Sequence, residues 1–156
     1  MKSPVFIYAA FIILCLAGGG LGGAATAASV RGWYPDLAKP AWTPPSFLFG
    51  PVWTLLYVTM GAVAARLHLR RAYPVAATTL KLWWLQFAAN VLWSPLFFGL
   101  RRPDLALVII ALLLAFLLVI AARLCRGDLL NFLLWLPYLA WVTFAAALNL
   151  AIWRLN

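Results

Sequence analysis

The chain predicts an all-α, polytopic membrane protein: a bundle of five transmembrane helices whose long first loop caps a ligand pocket. Three observations carry that prediction. Hydrophobic residues make up 67% of the 156 positions and charged residues only 10%, against about 25% charged in soluble domains. The apolar residues gather into five runs, each near the ~20 residues needed to cross a bilayer. The one long connection, 29–49, is a polar, Pro-rich stretch that also carries tryptophans and a tyrosine.

The first run spans 4–28, with Ser3 placed as N-cap and Pro4 suited to the first turn. Lys2, the apolar stretch and Ala25-Thr26-Ala27 also resemble a signal peptide with its cleavage site. The run is long for that. Gly18, Gly19, Gly22 and Gly23 supply two Gly-x-x-x-Gly pairs, which permit close helix contact in lipid. They serve either a dimer or the packing of this helix on its own bundle. The loop 29–49 reads Trp33-Tyr34-Pro35-Asp36-Leu37-Ala38-Lys39-Pro40-Ala41-Trp42-Thr43-Pro44-Pro45. Its stiffness and aromatic content suit a cover over something flat and apolar.

The second run, 50–69, is opened by Pro51; the third, 75–99, follows Pro74; the fourth, 103–124, follows Arg101-Arg102. The fifth, 128–153, begins at Asp128, where a carboxylate meets the positive end of the helix dipole. The connections 70–74, 100–103 and 125–127 are short, so successive helices should be antiparallel neighbours in one domain, 1–156. Pro95 and Pro137 fall inside runs, freeing the carbonyls of Val91 and Leu133. Each is either a tolerated kink or a kink that shapes a cavity.

The net charge of +9 is dispersed, singly or in pairs, at the ends of apolar runs. That placement belongs to topology anchors, not to a nucleic-acid stripe. Lys2, Arg66, Arg70, Arg71, Lys81, Arg123 and Arg126 fall on one side; Arg31, Lys39, Arg101, Arg102 and Arg154 fall on the other. The balance favours a cytoplasmic N-terminus. Cys15 and Cys125, in or beside apolar runs, read as packed thiols. With His68 as the single histidine, no metal site is assembled and no cofactor is required.

No Asp, Glu or Lys lies near the middle of a run, which argues against an ion-coupled pump. The polar groups at depth are neutral: Thr54, Gln86, Asn90, Thr143 and Asn149. Three helical stripes stand out: Trp53 and Tyr57; Asn90, Trp93 and Phe97; Trp141, Ala145 and Leu148. Converging, they would form an aromatic cavity with a few amides, suited to a flat apolar ligand. A plainer reading stands beside this one. Trp83, Trp84, Trp135 and Trp153 suit interfacial anchoring; Trp53, Trp93 and Trp141 fit either role. Asn90 and Asn149 also suit ordinary interhelical hydrogen bonds, about 0.6–2 kcal/mol each.

Four blocks together resemble the translocator protein family, also called tryptophan-rich sensory protein, TspO or peripheral benzodiazepine receptor. They are Trp33-Tyr34-x-x-Leu37-x-Lys39-Pro40-x-Trp42-x-Pro44-Pro45; Pro51-Val52-Trp53-Thr54-x-Leu56-Tyr57; Gln86-x-x-x-Asn90-x-x-Trp93-x-Pro95-x-Phe97-Phe98-Gly99; and Pro137-Tyr138-Leu139-x-Trp141 followed by Leu148-Asn149. The resemblance implies a five-helix bundle, commonly dimeric, with a pocket under the first loop. It implies tetrapyrrole ligands such as protoporphyrin IX or haem, drug-like ligands, and an integral protein of the bacterial cell membrane. By motif position, Trp53 and Trp141 would carry light-dependent porphyrin breakdown. Tyr57, Asn90, Trp93, Ala145 and Leu148 would line the pocket, with Trp42 from the loop. The chain departs from the animal sterol motif, with Leu150 where a Tyr is expected.

A porphyrin's two carboxylates should face the loop end, where Arg31 and Lys39 supply charge; both also suit topology anchors. Three functions follow: a tetrapyrrole-binding transporter or sensor, a porphyrin-degrading photochemical activity, or a membrane scaffold without a small ligand.

Overall fold

The computed structural model describes residues 3–156. Lys2, counted above as a basic anchor and as part of a leader, lies outside them. Helix α1 covers Pro4–Arg31, and α2 is the single turn Trp33–Asp36. A 3-10 turn, Ser46–Leu48, leads into α3, Phe49–Leu69. Helix α4, Pro74–Ser94, widens into a π-helical turn at Pro95–Gly99. Helices α5, Pro103–Leu124, and α6, Leu129–Leu155, complete the chain.

Helix α1 runs unbroken through Ala25-Thr26-Ala27. Pro4 sits in its first turn, while Ser3 occupies the N-cap position without a side-chain capping bond. Asp128 does cap α6, accepting from the Asn131 amide at 3.2 Å. It also accepts from Arg70 at 2.8 Å and Arg66 at 3.4 Å. This cluster ties the end of α3 to the start of α6 and opposes charge to both helix dipoles.

Among the described residues, four helical segments are long and apolar enough to cross a membrane: Pro4–Ala24, Ser46–Leu69, Pro103–Leu124 and Leu129–Leu155. The expected count was five. Helix α4 has 21 residues, as α3 does, but Thr78, Thr79, Lys81, Gln86 and Asn90 dilute its apolar character. At its end Pro95 supplies no backbone donor, and the ladder opens to π spacing, where Leu100 donates to the Pro95 carbonyl at 2.8 Å. Pro137 is held inside α6 without ending it.

The long helices form a closed ring in the order α1, α3, α6, α5, α4, with α3 also touching α4 across the interior. The first pair is the tightest. A Cβ at Gly61 would stand 2.7 Å from the backbone of Ile12, so α1 and α3 meet backbone to backbone there. Gly18 and Gly19 of α1 receive the rings of Phe87 and Tyr57. Gly18, Gly19 and Gly22 therefore serve packing inside the bundle, while Gly23 faces open space.

The core is made of Met60, Val63 and Ala64 of α3, Leu113, Leu117 and Ile120 of α5, and Val142 of α6. Trp83 and Trp135, read above as interfacial anchors, are wholly buried here instead. Their indole N–H groups donate to the carbonyls of Met60 and Leu117, each at 3.2 Å. That bond is what makes burial of a Trp tolerable. Trp84 and Trp153 do stand half-exposed. Outward faces remain apolar, with Ile13, Leu21, Val108, Leu118 and Val119 exposed, as a lipid-facing helix surface requires. Cys15 is buried and Cys125 exposed.

Candidate functional site

A cleft of about 570 Å3 opens between α1, α3 and α4 toward the loop end of the bundle. Its construction starts from α1, where Gly20 and Gly23 present bare backbone, while Gly19 is covered by the Tyr57 ring and Gly22 lies against Ser94. A Cβ at Gly20 or Gly23 would meet nothing within 4 Å. The cleft is also lined by rings. Trp53 and Tyr57, one turn apart on α3, stack with ring centres 5.5 Å apart; Trp93 of α4 and Phe98 of the π turn add two more rings. Open glycine backbone and a group of rings lining one cleft suit a planar apolar ligand.

The deep end of the slot is polar but uncharged. Tyr57 donates to Asn90 Oδ1 at 3.0 Å, Asn90 Nδ2 donates to Tyr138 at 2.8 Å, and Tyr138 donates to Gln86 Oε1 at 2.9 Å. Gln86 Nε2 ends the chain on Met60 Sδ at 3.3 Å. Five residues from three helices are thus locked in one network, and each of these donors has an acceptor. Trp93 is fixed separately: its Nε1 donates to Asn149 Oδ1 at 3.0 Å, and Asn149 Nδ2 donates to the Pro103 carbonyl at 2.8 Å. Thr54 and Thr143 play no part in this network. Each bonds the carbonyl one turn back in its own helix.

Arg31, at the end of α1, is the charged residue among those lining the cleft. Tyr34 and Ser46 are the loop residues that reach it. Burial pushes the Tyr34 hydroxyl above its usual pKa, so it stays a neutral donor.

Of the residues expected to bind ligand, the structure gathers Trp53, Tyr57, Asn90, Trp93 and Arg31 around this cleft. The others lie elsewhere. Phe97, Ala145 and Leu148 are buried in the core, because the π turn and α6 direct them into helix contacts. Trp141 packs on Phe49 and Phe144 with ring centres 5.8 and 5.5 Å away. Its indole nitrogen is buried with no hydrogen-bond partner among the described residues. Trp42 is half-exposed and leans edge-on against Phe144 at 5.6 Å. The loop is held there on α6, where Ala38 and Asn156 exchange two hydrogen bonds of 3.0 Å. Lys39 does not face the cleft: its ammonium donates to the carbonyls of Tyr34, Pro35 and Leu37 at 2.7, 3.0 and 2.9 Å. All three of its hydrogens hold the loop's own backbone.

Sequence reasoning missed Tyr138 and Ser94 as site residues. Tyr138 had a readable signal, since a hydroxyl in a helix interior with no polar neighbour one turn away must find its partner on another helix. Ser94, bonded to Thr26 at 2.8 Å and to the Gly22 carbonyl at 2.9 Å, had none. No group of three or more metal-ligating side chains exists among the described residues.

These features define a class: an integral membrane helical bundle with a neutral, aromatic-walled slot between its helices. The chain belongs to the TspO/MBR family, which it matches over residues 11–154. It is 43% identical to the tryptophan-rich protein TspO of Archaeoglobus fulgidus over 148 residues, covering 94% of this chain and 95% of that one. It is 36% identical to protein CrtK of Rhodobacter capsulatus, covering 96% and 92%. The human translocator protein is 36% identical over 126 residues, 80% of this chain and 75% of that one.

Proposed function

We propose that this protein is a receptor- or transporter-type membrane protein that binds a flat, mostly apolar tetrapyrrole, such as protoporphyrin IX or haem, in the α1/α3/α4 slot. In this reading α4 is a fifth membrane span, with Thr79, Gln86 and Asn90 buried in the interior and Thr78 and Lys81 exposed toward its start. The observation that carries the reading is the slot itself: open glycine backbone and the rings of Trp53, Tyr57 and Trp93 lining one cleft. Its volume, about 570 Å3, lies within the ~300–1,000 Å3 typical of small-molecule sites. The macrocycle stacks on the rings, and an acidic edge turns toward Arg31. No histidine reaches the slot. His68 stands on the last turn of α3, fifteen residues or roughly 22 Å along the helix from Trp53. Haem would therefore be held by its ring and not by an axial bond.

The test is a dark titration of purified protein with protoporphyrin IX and, separately, its dimethyl ester, read by tryptophan fluorescence. Saturable binding of both, with Arg31→Gln weakening only the free acid, is the expected result. Linear, mutation-insensitive quenching would mean partition into detergent and would reject the slot as a tetrapyrrole site.

A second reading is supported by the position of Trp53 in the slot wall, with Trp141 joined to the same wall through Phe49. An excited porphyrin bound there has indoles at hand as redox partners. Illumination of the wild type and of the Trp53→Phe, Trp141→Phe double variant separates the cases. Equal loss of the porphyrin band in both removes the photochemical role.

A further inference from the structure

A second cleft lies at the opposite end of the bundle, and the slot's function does not use it. It measures about 920 Å3 and sits between the two short connections that join α3 to α4 and α5 to α6. Leu67, Val75, Ala76 and Leu124 make an apolar floor, Arg70, Arg123 and Arg126 supply positive charge, and Asp128 is the one carboxylate in the lining.

The charge is not balanced from within. Arg70 pairs with Asp128, but Asp128 already serves Arg66 as well. Arg123 donates to a neutral group, Thr78 Oγ1, at 3.0 Å. Neither Arg123 nor Arg126 belongs to an ion pair among the described residues. The chain has only three carboxylate side chains. The other two, Asp36 in α2 and Asp104 at the start of α5, stand at the far end of the bundle. This cleft is short of negative charge by composition.

Position narrows what can supply it. The cleft is lined where α3 and α5 end, at the level where membrane spans leave the hydrocarbon. Tyr73 and Val75 on its rim are 69% and 66% exposed, an amphipathic edge of the kind that rests in the headgroup layer. A basic recess with an apolar floor at that depth suits an anionic headgroup carrying its apolar body with it. Arginine favours phosphate oxygens through paired N–H groups. We infer that the cleft is a binding site for the phosphate of an anionic phospholipid, recognised by Arg123 and Arg126. It would hold the α3–α4 and α5–α6 ends of the bundle to one leaflet.

The experiment titrates delipidated full-length protein in detergent with phosphatidylglycerol, phosphatidylcholine or inorganic phosphate, read by native mass spectrometry. Saturable adducts with phosphatidylglycerol, well ahead of phosphatidylcholine, are expected. The Arg123→Gln, Arg126→Gln variant should weaken the phosphatidylglycerol adduct about 30-fold, from about fivefold per arginine near an anionic headgroup. Arg101→Gln with Arg154→Gln removes the same charge at the other end and should leave the adduct unchanged. Equal adducts with both lipids in the unmutated protein would overturn the inference, whatever the fold of the variants. So would full competition by inorganic phosphate at matched concentration, which would make the cleft a free-anion site. Protoporphyrin titration of the same variants reads the other end separately.

Discussion

Filling the slot from its glycine wall gives the sharpest test of where ligand binds. Gly20 and Gly23 line the slot, and a Cβ on either meets nothing within 4 Å. Gly20→Leu with Gly23→Leu therefore adds side chains into open space, on a helix that gains from the change. Glycine costs about 0.8–1 kcal/mol relative to good helix formers. Two replacements in mid-helix should hold or raise the melting temperature. The ligand loses at the same time. Pushed off the rings, a macrocycle forfeits stacking on Trp53, Tyr57 and Trp93 at about 0.5–1.5 kcal/mol each. The sum, roughly 1.5–4.5 kcal/mol, corresponds to about a tenfold to thousandfold rise in Kd. The assay pairs a thermal melt with a dark protoporphyrin IX titration. Binding at wild-type affinity in a fully folded double variant would refute the slot as the site.

Other substitutions separate packing from polar bonding. Gly61→Val drives a branched side chain into the backbone of Ile12, 2.7 Å from the first added carbon. It should cost about 1–3 kcal/mol or more and lower the melting temperature in detergent. Tyr138→Phe leaves the Asn90 amide and the Gln86 carbonyl without partners. At about 1–3 kcal/mol per stranded group, it should destabilise more than Tyr57→Phe, which strands one acceptor; chemical-denaturation midpoints compare them. Trp141→Phe removes a buried N–H that has no partner and should be neutral or stabilising in the same assay. Asn156→Ala cuts both bonds that hold Ala38, and faster amide exchange over 37–45 without loss of the helices is the expected outcome.

Helix positions were legible because long apolar runs and their breakers carry the signal locally. Pro4, Pro74 and Pro103 mark helix starts, and Asp128 marks the cap of α6. The polar depth of α4 was legible for the same reason: Gln86 and Asn90 stand out against apolar neighbours. Helix-face arithmetic did not place Phe97, Ala145 and Leu148, which lie in helix contacts outside the cleft, since a stripe says which residues share a face and not which neighbour that face meets. The π turn at Pro95–Gly99 also breaks the 3.6-residue spacing on which the Asn90, Trp93, Phe97 stripe depended. Lys39 misled for another reason. A lysine in a loop reads as a free charge, yet its ammonium is taken up by the carbonyls of Tyr34, Pro35 and Leu37 around the short α2 turn. Burial of Trp83 and Trp135 required knowing which carbonyl each indole would find. That depends on the ring order of the helices and on nothing local.

The two clefts share α3 and α4 but are sealed from each other. Trp53 and Tyr57 face one, Leu67 and Arg70 the other; Asn90 and Trp93 face one, Val75 and Thr79 the other. Between them lie Met60, Trp83, Gln86 and Tyr138, all at most 1% exposed. A ligand entering the slot meets the amide and hydroxyl network and stops there. Passage along the axis would have to break the bonds joining Asn90, Tyr138 and Gln86, each a buried pair inside a low-dielectric bundle. Among the functions proposed for the slot, holding and presenting a ligand asks nothing further of this geometry. Movement through the bundle asks for a second arrangement of α6, the helix that carries Tyr138. Pro137, directly before that tyrosine, removes one ladder hydrogen bond from α6 beside the network.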